Sequence, residues 1–221
     1  QMEPSEIERL IRPLVEGRSD YAKGNRFYDM TCLSEMPKVR LIGNILLSFL
    51  SKFSTGYWHL FDPTNGFTAI QSKVLKLIPL DKLNERYFFE TDFLFRLNIV
   101  NAVVHDIPMN AIYGDEESNL KIHSILFNFP FLHLKILLKR IFYNYFLRNF
   151  SIASINLVIG LILLIYGLIY GFSHWTNGSE PTSAGVVMMA ALPIIIGMQS
   201  LLSFIGYDMS SSSEAPLHLK L

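Results

Sequence analysis

The sequence predicts an α/β layer unit followed by interfacial helices and a two-helix transmembrane hairpin, and three observations carry that reading. Residues 1 to about 120 alternate helical and extended patterns. Residues 123–150 mix large apolar and aromatic side chains with basic ones, and two uncharged runs follow, residues 151–172 and 185–206. At ~1.5 Å rise per residue, each run is long enough to cross a ~30 Å hydrocarbon core. Composition agrees: of 221 residues, 50% are hydrophobic and 17% charged, and the mean hydropathy is positive. That is too apolar for an ordinary soluble domain and too polar for a chain wholly within a membrane. The formal net charge is zero, which leaves no basic excess for nucleic acid. The lone Cys32 excludes an internal disulfide and fits a reducing compartment. No Cys/His pairs at zinc spacing and no Gly-rich phosphate loop occur.

Along the chain, Ser5 and Glu8 form a capping box ahead of Ile7, Leu10, Ile11 and Leu14 at helical spacing, and Gly17 stops the helix. Asp20-Tyr21-Ala22-Lys23 reads as a short strand running into the polar loop Gly24-Asn25-Arg26. Residues 37–53 form a second helix with Leu41, Ile45, Leu46 and Phe49 on one face. Residues 61–70, FDPTNGFTAI, then set Asp62 on a tight turn between hydrophobic runs. By themselves these residues read as a surface β-turn, because Pro63 presets φ and Asn65-Gly66 tolerates positive φ. Residues 74–83 predict a helix and turn around Pro79, residues 87–99 a helix, and residues 103–107 a strand ending at Pro108. Glu90 and Asp92 lie two apart on that helix and point about 200° apart, so they cannot readily chelate one ion. His59, beside Trp58, reads as a packed aromatic neighbour rather than a ligand.

The stretch 123–150, HSILFNFPFLHLKILLKRIFYNYFLRNF, suits helices lying in the headgroup plane, broken once at Pro130. A third transmembrane helix is the rival, but it would carry Lys135, Lys139 and Arg140 at costly depth. In the second uncharged run, Pro193 and Gly197 are expected to kink the helix and Gln199 to face its partner. The connection between the runs has no Lys or Arg, whereas Lys135, Lys139, Arg140 and Arg148 precede the first. The positive-inside rule therefore places both chain ends in the cytoplasm. A buried core hairpin is the alternative, disfavoured by the length of both runs.

QMEPSEIERLIRPLVEGRSDYAKGNRF, GYWHLFDPTNGFTAI and PMNAIYGDEES, followed by the two-span C-terminus, resemble the family-2 glycosyltransferases of the dolichyl- or polyprenyl-phosphate sugar transferase type. The resemblance covers essentially the whole chain. It implies that residues 1–120 are the C-terminal part of a Rossmann-like glycosyltransferase A-type catalytic domain whose nucleotide-binding half lies upstream. Residues 121–150 are then amphipathic juxtamembrane helices, 151–206 two transmembrane helices, and 207–221 a polar tail. The implied reaction moves a sugar, with inversion, from a nucleotide sugar to a polyprenyl phosphate at the cytoplasmic face of a prokaryotic inner membrane. The implied cofactor is Mg²⁺ or Mn²⁺, and dimers and tetramers are both compatible with a hairpin anchor.

Site residues carry over by position. In the family the Gln-Met-Asp-Pro-like stretch follows an Asp-x-Asp motif that holds the metal, so Gln1 is expected beside the metal and the motif aspartates are absent. This chain, opening at Gln1 without Met and showing few strands, is expected to be an inactive C-terminal portion. The Asp-x-x-x-Gly-Phe loop makes Asp62 a candidate base or orienting group, with Asn65 and Gly66 shaping the turn. Lys-Gly-Asn-Arg matches a Lys-Gly-Ser-Arg loop placed to contact phosphate, which makes Lys23 and Arg26 acceptor-phosphate ligands. Gly24 allows close backbone approach there, and Arg26 can grip two phosphate oxygens. At Asp115-Glu116-Glu117-Ser118 many relatives carry an arginine that this chain lacks, so no arginine role transfers. A processive polysaccharide synthase would need more spans and a Gln-x-x-Arg-Trp-like motif, neither of which is present. A non-enzymatic membrane adaptor stays open.

Overall fold

Strand alternation in Tyr21-Ala22-Lys23-Gly24-Asn25 organises the first of two units. The computed structural model describes residues 4, 6–28, 38–85, 88–109, 122–176 and 183–221. It divides into residues 1–141 with 212–221, and residues 142–211. The first unit contains helix α1 (Glu6–Val15), strand β1 (Tyr21–Asn25), helix α2 (Lys38–Thr55), strand β2 (Thr68–Ile70), the short helix α3 (Ser72–Leu75), helix α4 (Phe89–Ile99), strand β3 (Val104–Pro108) and helix α5 (Ile122–Phe142) up to residue 141. The strands form a mixed sheet in the order β2-β1-β3, with β1 antiparallel to β2 and parallel to β3. Lys23 pairs with Thr68 on one side and Asp106 on the other.

The two faces of the sheet bury different partners. Ala22, with Ala69 and Ile107, packs under Leu10 and Leu14 of α1. On the other face Tyr21 and Val104 join Phe93, Leu94 and Leu97 of α4, with Tyr57, Leu60, Val74 and Ile78. Gly17 ends α1 at φ +69°, a left-handed conformation in which a side chain would be strained, and Arg18 N–H returns to the Pro13 carbonyl at 2.9 Å. Ser5 of the expected capping box lies outside the described residues.

Several sequence expectations need correction. Gly24 and Asn25 belong to the strand rather than to a loop. β2, only three residues long, was not foreseen, while the helix and turn expected over 74–83 are α3, which starts at Ser72, and a 3₁₀ turn, Leu80–Lys82, after Pro79. Pro130 does not break its helix: α5 runs through it, giving up one backbone bond, and ends in a π-helical segment, Tyr143–Arg148. The apolar face of α2 is not a core face. Of its expected residues Ile45, Leu46 and Phe49 stand 53, 58 and 56% exposed, and Leu41 is half-buried. Instead α2 offers Ser54 to His133 of α5 (2.8 Å), and Arg140 donates to the Phe53 carbonyl at 2.9 Å. Burial lowers His133 to about 4, so this imidazole is neutral at physiological pH. Phe131, Leu134 and Leu138 of α5 also face outward.

The tail closes on the first unit. Asp20, with no exposed surface, accepts Val103 N–H (2.8 Å), Leu217 N–H (2.7 Å), His218 N–H (2.8 Å) and His218 Nδ1 (2.7 Å). Burial pushes its carboxyl up, but the bonds from His218, Val103 and Leu217 outweigh that and hold it below the ordinary carboxylate value.

The second unit is a hairpin of helices α6 (Ile152–Thr176) and α7 (Ala184–Ser210), both long and apolar enough to cross a membrane. Glycines let the backbones approach: a Cβ on Gly167 would meet the Ala190 carbonyl and Ile194 Cγ1 at 2.7 Å, and one on Gly197 would meet the Leu164 nitrogen at 2.8 Å. Gln199, expected to face α6, is exposed, because two residues from the buried Gly197 is about 200° around a helix. Asn156 makes the polar contact, donating to Ser203 at 3.1 Å. At the hairpin base, Tyr145 donates to Asp208 at 2.6 Å and Ser154 to the Tyr145 carbonyl at 2.5 Å.

Two outcomes follow from this packing. Gly167→Leu is expected to destabilise the detergent-solubilised protein by about 1–3 kcal/mol through overpacking, whereas Gly206→Ala, where nothing lies within 4 Å, is neutral or better; thermal unfolding of both variants tests it. Asp20 titrates below its unfolded value, so its contribution is full above about pH 4 and fades as pH falls through the folded value. The stability gap between the wild type and Asp20→Asn should therefore shrink on acidification, as read from unfolding midpoints at pH 7 and pH 3.

Candidate functional site

Lys23 is the starting point because its side chain points from the central strand into the protein. Its ammonium has no exposed surface and donates to the Asn65 carbonyl. Burial lowers it to about 8, against the opposing pull of Asp62, Glu90 and Asp106. Asn65 in turn donates from Nδ2 to the Gly24 carbonyl (2.7 Å) and the Met109 sulfur (3.1 Å), while its Oδ1 accepts Phe67 N–H at 3.0 Å, an Asx turn. Phe67 then accepts Gly24 N–H at 2.8 Å, locking the loop onto β1. A Cβ on Gly24 would overlap the Met109 sulfur and sit 3.0 Å from Asn65 Nδ2, so a larger residue would have to displace both side chains.

The turn of FDPTNGFTAI is real, with Asn65 N–H reaching back to the Asp62 carbonyl at 3.5 Å, but it is not a surface turn. Asp62, Pro63 and Asn65 are buried. Arg26, just past β1, grips Asp62 through both oxygens, Nε to Oδ2 at 2.7 Å and Nη2 to Oδ1 at 3.1 Å. Its backbone N–H also points at Oδ2 (3.4 Å), and Thr64 Oγ1 donates to Oδ1 at 3.3 Å. A bidentate pair with one partner fully buried fixes both planes far better than an exposed ion pair does.

The structure thus brings Lys23, Arg26, Asp62 and Asn65 together, with Gly66 beside Glu90. Both cations face the Asp62 loop, and Lys23 acts from beneath it rather than from an open surface. Gln1 and residues 115–118 lie outside the described residues. Glu90 and Asp92 do point apart, Asp92 turning to Arg96 (3.2 Å) and to the Asn84 N–H (2.9 Å). His59 bonds the Val104 carbonyl at 2.9 Å and packs edge-on to Tyr57, a structural role.

One residue escaped the sequence reading. Asp106, opposite Lys23 on β3, accepts Phe61 N–H at 2.7 Å and Asn25 Nδ2 at 3.2 Å. Burial raises its carboxyl, partly countered by the Phe61 N–H, with Asp62 adding to the rise. The available signal was a carboxylate within a short β-branched stretch, Val103-Val104-His105-Asp106-Ile107.

Among the described residues no group of three or more His, Cys, Asp or Glu side chains could hold a metal. With both Asp62 oxygens given to Arg26, these residues do not form a divalent-cation cradle. The arrangement presents a rigid carboxylate and guanidinium on a buried turn, a device for orienting a reacting group.

No family model matches the chain. It is 28% identical over 142 residues to an uncharacterised protein of Methanocaldococcus jannaschii, covering 64% of this chain and 57% of that protein. It is 24% identical over 139 residues to a UDP-N-acetylglucosamine–dolichyl-phosphate N-acetylglucosaminyltransferase of Methanococcus voltae, covering 63% of this chain and 55% of that protein. The chain therefore spans a little over half the length of these relatives.

A Lys23→Met variant tests the buried charge. Between about pH 8 and 10.5 the unfolded chain keeps the Lys23 proton that the folded chain has released, so wild-type stability gains up to about 3 kcal/mol across that window. The variant should lack this alkaline gain in denaturant midpoints at pH 7.5 and pH 10.

Proposed function

We propose that this chain is the membrane-anchored part of a glycosyltransferase that moves a sugar, with inversion, from a nucleotide donor to a polyprenyl phosphate at the cytoplasmic face. The distant similarity to a dolichyl-phosphate sugar transferase and the two apolar helices support a membrane transferase at a coarse level. The observation that carries the finer reading is the buried bidentate Arg26–Asp62 pair on the loop that resembles the family's Asp-x-x-x-Gly-Phe stretch. The donor, the divalent cation, a Rossmann-like A-type domain and the membrane face belong to this proposal and rest on the resemblance.

In this reaction a phosphate oxygen of the lipid attacks the anomeric carbon, and the bond from that carbon to the nucleoside diphosphate breaks. A lipid phosphate is already a nucleophile, so alignment matters more than a strong base. Arg26, its plane set by Asp62, is the group offered to the acceptor phosphate, and Lys23 supports that loop electrostatically from below. The outward apolar faces of α2 and α5 would lie against acyl chains near the headgroups, bringing a membrane-borne phosphate to the loop. Lys135 and Lys139, exposed on α5, suit anionic headgroups.

The test is transfer of labelled sugar to polyprenyl phosphate in membranes holding the full-length gene product, screened over several sugar nucleotides with Mg²⁺ or Mn²⁺. Asp62→Asn is expected to lower turnover by roughly 10²- to 10³-fold, and Arg26→Lys, which loses the fork, by at least about 10-fold. Product that survives Asp62→Asn unchanged returns the turn to a purely structural role. No product with any donor turns the reading to the adaptor.

A further inference from the structure

We infer that Asp106 is the positioning residue of the Arg26–Asp62 pair, because one oxygen of its carboxylate holds both segments that deliver the pair. This rests on the function proposed above. Asp106 Oδ2 accepts the backbone N–H of Phe61, the residue before Asp62, at 2.7 Å. The same atom accepts Nδ2 of Asn25, the residue before Arg26, at 3.2 Å. Asn25 passes the constraint on, since its Oδ1 accepts Phe27 N–H at 2.9 Å and brackets Arg26 from the other side.

The registration is rigid at its source. Asn25 pairs with Pro108 and Lys23 with Asp106 in the parallel β1–β3 ladder, so a sheet strand fixes the height of the carboxylate. Phe61, by contrast, is not in a strand or helix and is 44% exposed. Its N–H bond to Asp106 ties that exposed residue, at the start of the loop, to β3, while the Lys23, Gly24 and Asn65 bonds hold the far side of the loop to β1. Oδ1 of Asp106 is buried and has no hydrogen-bond partner among the described residues. The two useful bonds therefore converge on one acceptor atom, and an amide oxygen can replace it.

The experiment compares Asp106→Ala, Asp106→Asn, Asn25→Ala and Asp62→Asn in the full-length membrane protein, reading kcat and KM for sugar transfer and amide exchange over residues 60–67. Asp106→Ala is expected to speed exchange in that segment and lower kcat about 10- to 100-fold, with KM for the nucleotide sugar nearly unchanged. Asp106→Asn is expected to restore slow exchange and bring kcat to within about 5-fold of wild type, since a displaced pair and not a missing charge is the lesion. Normal kcat and normal exchange in Asp106→Ala overturn the inference, as do equal losses in the Ala and Asn variants. If Asp62→Asn is fully active, the proposed reaction site fails, and exchange over residues 60–67 still decides whether Asp106 positions the loop. If Asp106→Ala does not fold, Asn25→Ala decides: faster exchange around Arg26 with reduced kcat supports the inference, and wild-type values overturn it.

Discussion

A lysine ammonium with no access to water sits in the central strand of a three-stranded sheet, and the arrangement around it answers that one constraint. Burying an ammonium is costly unless hydrogen bonds and opposite charges compensate. Here the Asn65 carbonyl supplies the bond, and Asp62, Asp106 and Glu90 supply the charge. Each comes from a different element: the loop before β2, strand β3 and helix α4. Lys23 therefore works as a gathering point that makes the Asp62 loop fold down onto the sheet. Counting Arg26, two cations face three carboxylates, which is a poor trap for phosphate by electrostatics alone. On the proposed reaction, further positive charge must come from outside this cluster.

The tail places a separate constraint on how the chain can meet a membrane. Leu217 and His218 bond a carboxylate at the head of β1, so the residues after the hairpin return to the unit that precedes it. If the apolar helices cross a bilayer, the number of crossings between Asp20 and His218 must be even. Two crossings satisfy this and three do not. That count fits the proposed two-span hairpin, and α5 makes buried contacts with α2 through His133 and Arg140.

Much of this was legible because it is written in local pattern. The two uncharged runs, the helical spacing of Leu10 and Leu14 and the glycine stop at Gly17 all report on neighbours within a few residues. The site was legible in pieces, as Lys-Gly-Asn-Arg and as Asp-Pro-Thr-Asn-Gly, but composition and spacing do not say that the two stretches meet. What remained hidden depends on long-range pairing. β2 is too short to show alternation. Asp106 acquires its role only by lying across from Lys23, and Asp20 only when the tail arrives from nearly two hundred residues away. The apolar stripe of α2 was visible, yet periodicity reports that a face is apolar and not what covers it.

The sheet also explains why chemistry and anchoring do not compete. β1 and β3 run parallel, so their amino ends lie together and their carboxyl ends lie together. Asp20 precedes β1 and bonds Val103, just before β3, so the amino end of the pair is sealed by the tail. Arg26 follows β1 and Met109 follows β3, and with Asp106 of mid-β3 they bond the Asp62 loop, which lies toward the opposite end. Open α/β sheets bind ligands beyond the carboxyl ends of their strands, where backbone and loops can converge without interrupting the ladder. The sequence spends its buried polar residues accordingly: Asp20 at one end stabilises closure of the chain, and Asp62 and Asp106 at the other hold a guanidinium in a defined plane. The tail and the Asp62 loop are thus joined by both strands of the parallel pair, β1 from Asp20 to Arg26 and β3 from Val103 to Asp106.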